Sequence, residues 1–207
     1  MKCYRFVTAD LKSQSGNVQW VVGEWVKHAG KLTLCNSGLH ACKTPRESLE
    51  YVYGDRWFIA EYRGKVVEGD DKLCASGMRL VKEIPLSVIQ HYAVDCAEHV
   101  LHIYEKQYPD DLRVRDCIEA VKAFLDDPTD ENRVKISKSG SAAESTAWSA
   151  AGSAAWSAAW SAWSAWSARS AVGSAWSAAW SARSAAGSAE EAWQNSHLTE
   201  LIEEATQ

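Results

Sequence analysis

From about Ala147 to Ala189 the chain is written almost entirely in Ser, Ala, Trp, Gly and Arg, and its serines recur every three or four residues. Ser145 to Ser188 covers 43 residues in twelve steps, a mean of roughly 3.6, which is the residues-per-turn of an α-helix and of neither a strand nor polyproline II. Steps of four drift about +40° around a helix and steps of three about −60°, so their mixture largely cancels. With Ser174 as origin and about 100° per residue, Ser falls near 0° and 300° and Ala across about 40–140°. Trp176, Trp180, Arg183 and Gly187 fall near 200° and 240°. The spacing predicts a helical rod, single or folded, with three chemically distinct stripes.

Each stripe implies a packing role. Ala is the strongest intrinsic helix former, and small Ser and Ala faces let another helix approach closely. Eight of the eleven Trp residues lie between Trp148 and Trp193. Left in water they would form an apolar ribbon, so most of the Trp stripe is expected to be covered by other helices, a second subunit or a partner. Trp156, Trp160, Trp163, Trp166, Trp176 and Trp180 are the binding candidates on this stripe, for a protein partner or self-association. A flexible linker would carry no Trp at helical phase. A membrane span would not carry a Ser at every turn together with Arg169 and Arg183.

A chain of 207 residues with 46% hydrophobic content can build a real core. Its net charge of −5 and pI near 5.7 give no electrostatic footprint for nucleic acid. No charged-then-apolar leader follows Met1, which points to a cytoplasmic protein. Six cysteines are expected to be reduced and partly buried. Cys35, His40, Cys42 and Cys74 are ligand types that zinc accepts, but no C-x-x-C pair accompanies them, and no metal or cofactor is expected.

Residues 1–85 read as a small β-rich domain with strands at Cys3–Val7, Val18–Val22, Lys31–Cys35, Trp57–Tyr62 and Met78–Ile84. Thr44-Pro45-Arg46-Glu47 is a capping box that predicts a helix from Pro45 to about Tyr53, ended by Gly54. A second box, Ser87-Val88-Ile89-Gln90, opens an all-helical region. Ile89 to Tyr104 and Val114 to Leu125 carry apolar residues at helical spacing, within a helical pair and connector over 86–139. Glu131 to Ile136 begins a third helix, and Gly140 is expected in a Ser-rich break before the repeat segment of 140–207. Glu190 to Ala205 closes the chain as a helix. The fold class is α+β, a β-rich domain followed by helices.

Two resemblances cover most of the chain. Lys31-Leu32-Thr33-Leu34-Cys35-Asn36-Ser37-Gly38-Leu39-His40-Ala41-Cys42 with Met78-Arg79-Leu80-Val81-Lys82-Glu83-Ile84-Pro85 resembles an uncharacterised domain of phage and bacterial proteins that often carry Ala-rich helical tails. Asp95-Cys96-Ala97-Glu98-His99-Val100-Leu101, Tyr108-Pro109-Asp110-Asp111 and Ile118-Glu119-Ala120 are similar to a helical family of candidate bacterial immunity proteins. A third, shorter match joins Gly38-Leu39-His40-Ala41, Ser48-Leu49-Glu50-Tyr51 and Trp57–Tyr62 with Gly64. It resembles the nicotinamide-binding segment of ADP-ribosyltransferase-like folds, without the N-terminal His or Arg for the ribose. That likeness implies a nucleotide ligand, His40 and Tyr51 near its ring, and Glu83 as the catalytic carboxylate. The competing reading has His40 and Tyr51 simply packed inside a small domain.

The favoured function is therefore binding without catalysis, in host interaction, immunity or counter-defence. Trp20, Trp25 and His40 are the candidate residues of the N-terminal domain, and the Trp stripe is the candidate surface of the repeat. The alternatives are an ADP-ribosyltransferase-like enzyme or nucleotide-binding relative, and a structural oligomer. His99 and His102, three apart on a helix, could chelate a metal but suit surface chemistry better.

Overall fold

The computed structural model describes residues 1–15, 18–144 and 168–207. They form an α+β protein of two compact units, Met1–Pro85 with Ile202–Gln207, and Leu86–Leu201.

The sheet unit is built on a long antiparallel hairpin, β4 (Arg56–Glu68) and β5 (Leu73–Ile84), paired from Trp57↔Ile84 to Glu68↔Leu73. Its tight end is closed by the Gly69 N–H donating to the Lys72 carbonyl at 2.8 Å. β1 (Lys2–Val7) lies antiparallel along β4, while β2 (Val26–Lys27) and β3 (Leu39–Ala41) pair with β5. Just past β3, Cys42 and Tyr4 exchange two backbone hydrogen bonds of 2.9 Å. The pairings β1–β4–β5–β3 thus return to β1 and close a small ring, which leaves few bare strand edges.

Alternation along the strands sorts side chains onto two faces. Cys3 and Val7, Phe58, Ala60 and Tyr62, and Met78 and Leu80 share one core with Leu39 and Ala41. Trp20, on the segment after β1, completes it at 1% exposure. On the other face Phe6 stacks on Trp57 at 5.5 Å, and the Trp57 indole N–H donates to Ser48 Oγ at 2.9 Å.

The expected helix is present but short. α1 (Pro45–Ser48) starts at the reciprocal capping box of Thr44 and Glu47 and ends four residues on. Gly54 explains the early stop: a Cβ there would stand 2.0 Å from the Val7 carbonyl oxygen, so the chain must already have descended onto the end of β1. Two expected strands are not strands. Val18–Val22 makes a single bridge at Gln19, delivering Trp20 inward while Val21 and Val22 stay exposed. Lys31–Cys35 is a tight turn held by Thr33 and Ser37, with Cys35 at φ 62°. In both, β propensity is overridden by the need to return the chain over the core.

The helical unit begins at α2 (Leu86–His99), so Ser87 lies in the first turn rather than ahead of it. α2 buries seven residues, among them Val88, Ile89, Tyr92 and Cys96, as a helix packed on several sides must. It lies against both α4 (Arg113–Asp126) and α6 (Ala168–Ala186). The predicted helix through Tyr104 is interrupted at Val100, whose φ of −101° and ψ of 0° leave the helical range before α3 (Leu101–Gln107) begins. α5 (Asp130–Glu144) packs on α4, and Gly140 lies buried inside it instead of in a break.

From Ala168 to Ala186 the repeat is a helix, and residues 145–167 lie outside the described residues. Gly187, at φ 81°, ends α6 in the left-handed conformation that glycine adopts freely, and α7 (Ser188–Ala205) follows at once. The stripes divide the labour on α6 sharply. Ala175, Ala178, Ala179 and Ala182 are buried, at no more than 5% exposure, while Ser174, Ser177 and Ser181 are half-buried. Trp180 is 48% exposed. Other helices of the chain therefore leave this residue open, because the Trp phase lies opposite the Ala face on which the helix packs.

Candidate functional site

A cleft of about 650 Å³ opens in the sheet unit between β1, β3, the turn at 35–38 and the end of α1. β1 brings Arg5 to it. Alternation from Cys3 and Val7 places Arg5 on the core-facing side of the strand, where a charge is costly. Its Nη1 donates to Met78 Sδ at 3.6 Å and its Nη2 to Ser13 Oγ at 3.3 Å. The guanidinium carbon stands 4.4 Å from the centre of the Trp20 ring, whose indole N–H donates to the same Ser13 Oγ at 3.0 Å. Arg5 Nε is buried without an acceptor. Burial pulls the Arg5 pKa down to about 10, which leaves it protonated at neutral pH.

β3 contributes His40, whose Nε2 is likewise buried and unpartnered. Burial holds its pKa below the ordinary histidine value, against the pull of the Thr33 and Gly38 backbone carbonyls. At the α1 end, the Tyr51 hydroxyl donates to Asp71, and Lys72 Nζ donates to the Tyr51 hydroxyl at 3.0 Å. Across the cleft His28 Nε2 lies 3.1 Å from Ser37 Oγ.

His40 and Tyr51 therefore share the cleft, but Glu83 does not join them. It forms a two-pronged pair with Arg56, at 2.8 and 2.5 Å. His40 pairs with Cys74, and Glu83 lies nine residues further along β5, about 30 Å away at about 3.3 Å per residue. The arrangement implied by the ADP-ribosyltransferase likeness lacks its carboxylate. Trp20 is core and not surface. Trp25 is half-buried away from the cleft, under the guanidinium groups of Arg63 at 3.8 Å and Arg79 at 5.0 Å.

The sulfur ligand types do not gather either. Cys35 and Cys42 line the cleft, whereas Cys74 donates to the Ser37 carbonyl at 3.0 Å. Among the described residues no group of three His, Cys, Asp or Glu stands where it could hold a metal. Burial pushes the Cys3 thiol up to about 12 and raises Cys42 as well, so both stay protonated and unreactive.

In the helical unit, His99 is spoken for. Its ring stacks on Trp193 at 3.7 Å, and its Nδ1 lies 2.7 Å from Oε2 of the buried Glu190. His197 stacks on Trp193 at 4.8 Å and bonds Asp95 at 2.7 Å. Gln194 ties the same cluster to α6 by donating to the Ala179 carbonyl at 2.8 Å and to Glu190 at 3.0 Å. His102 is exposed, with Nδ1 3.0 Å from the His99 carbonyl. This is a clamp between α2 and α7. Of the repeat candidates, Trp180 lies exposed beneath Arg183 at 4.5 Å, and the side chain of Trp176 is outside the described set. Trp156, Trp160, Trp163 and Trp166 lie outside the described residues altogether.

Two family models match the chain, one over each part. The family described as Imm-5 like putative immunity protein matches residues 79–201, and the chain belongs to it. Residues 1–92 match a domain of unknown function, DUF7666. No curated protein and no solved structure matches the chain. No described helix is long and apolar enough to cross a membrane.

Proposed function

We propose that this chain is an immunity protein, one that neutralises a toxic protein by binding it rather than by catalysis. The family match over residues 79–201 carries this reading. The contact surface proposed is the α3–α4 turn, where Tyr108 and Leu112 are 45% and 53% exposed beside Pro109 and Asp110. An exposed Tyr next to an aliphatic side chain is the kind of anchor that dominates protein interfaces. Coexpression with each toxic polypeptide of the same genome tests it. The chain should restore growth against one of them, and the Tyr108→Ala, Leu112→Ser double variant should lose protection while melting like the parent. Failure to protect against any of them overturns the reading.

Self-association through the repeat is a second proposal, favoured by the exposure of Trp180. Trp180→Ser should lower the solution mass by light scattering and cost about 1 kcal/mol or less in stability. An unchanged mass removes this residue from any such interface.

A further inference from the structure

Arg5 is a cation that the fold has placed but not neutralised. Its acceptors are a thioether sulfur and a hydroxyl, both uncharged, and its Nε has none. Arg5 is half-buried, and an inward guanidinium normally meets a carboxylate, because an uncompensated charge drawn even partly out of water is costly. Among the described residues no Asp or Glu lines the cleft. Its charged or chargeable walls are Arg5, Lys27, Lys72, His28 and His40. The adjacent Asp71 accepts from the Tyr51 hydroxyl and offsets the charge of Lys72, leaving Arg5 without a carboxylate of its own. Cations gathered in a concave, partly dry site focus their field on its interior and attract anions.

Size and wall chemistry narrow the ligand. A volume of about 650 Å³ is far larger than a bare ion needs and falls within the range of small-molecule sites. The rings of Tyr51 and Tyr53, 6.0 Å apart, supply flat apolar surface on one flank. We propose that the cleft binds a small organic polyanion, most simply a phosphate monoester, with the oxyanion on the Arg5 side and the organic body along the tyrosines. The stability sacrificed at Arg5 is then recovered when the ligand arrives, as expected of binding sites that trade stability for function.

Titration calorimetry on the full chain tests this with adenosine 5′-monophosphate, uncharged adenosine, citrate and inorganic phosphate as probes. The monophosphate should bind at least tenfold more tightly than adenosine and weaken as salt is added. Citrate measures whether a polycarboxylate satisfies the same cations, and tighter binding by citrate assigns the natural ligand to that class of polyanion. Arg5→Met should lower the affinity for the preferred polyanion at least tenfold. It should also melt no lower than the parent without ligand, since an unneutralised charge has been replaced by an apolar chain. Lys27→Ala, at an exposed position, should reduce affinity several-fold with folding unaffected. Equal binding of adenosine and its monophosphate, no binding of any polyanion, or parental affinity in both variants overturns the proposal.

Discussion

Trp20→Ala is expected to destabilise the sheet unit by about 3–5 kcal/mol, the range for deleting a large aromatic side chain from a packed core. Trp20 is 1% exposed and packs with Cys3, Val7, Phe58, Met78 and Leu80. Truncation removes the indole donor from Ser13 and the aromatic face beneath Arg5 together with the buried area. The guanidinium would then border a cavity instead of a ring. Thermal unfolding followed by circular dichroism should show the sheet transition falling by at least about 12 °C. Trp25→Ala, which removes a half-buried ring from under Arg63 and Arg79, should cost about 1–2 kcal/mol. If the two variants melt alike, Trp20 does not occupy the core.

Gly54→Ala should be nearly as damaging, and for the opposite reason. The added methyl would meet the Val7 carbonyl oxygen at 2.0 Å, its carbon at 2.2 Å and the Thr8 nitrogen at 2.6 Å, all backbone atoms. No rotamer change relieves such a clash, so β1 or the 49–55 segment must move. Overpacking costs about 1–3 kcal/mol where side chains can adjust, and the upper end or beyond is expected here. A comparison with Gly23→Ala separates clash from backbone conformation. Gly23 has φ 87° with nothing within 4 Å of an added Cβ, so it tests conformational strain alone. If Gly54→Ala melts no lower than Gly23→Ala, the close approach to β1 is wrong.

The sequence made the helices legible wherever a helix needed only its own periodicity. Val114, Cys117, Ile118, Val121 and Phe124 are the buried face of α4, as their spacing requires. The Ala stripe of α6 is buried for the same reason. Legibility failed where a segment answers to distant partners. Val18–Val22 has strand composition but serves as a carrier for Trp20, and Val100 breaks a helix that periodicity would continue. Gly140 shows a further ambiguity, since a glycine that ends one helix can lie buried in the middle of another.

The cleft was half legible. His40 was visible as a chemistry-bearing residue, and Tyr51 lies beside the same opening. Arg5 left a signal that strand alternation could have caught: a cation between Cys3 and Val7 on the inward side of β1. What no local pattern contains is the absence of a carboxylate around it. That depends on which loops return to the cleft. The Trp193 clamp was similarly hidden, because its partners Asp95 and His99 are about a hundred residues away in the chain.

The ring closed by Tyr4 and Cys42 also sets a timetable. β1 pairs with β4 across 49–59 residues, from Val7↔Arg56 to Lys2↔Glu61, and residues 202–207 belong to the same compact unit. Contacts this distant in sequence form slowly, because a long loop must be ordered before any of them is made. On a ribosome the first strand emerges early and waits some fifty residues for β4, whereas α4 and α5, neighbours in sequence and in space, pair across a short turn. The unit that begins the chain is therefore the last to be finished. Until β4 has emerged, β1 is exposed to off-pathway strand pairing and to chaperones.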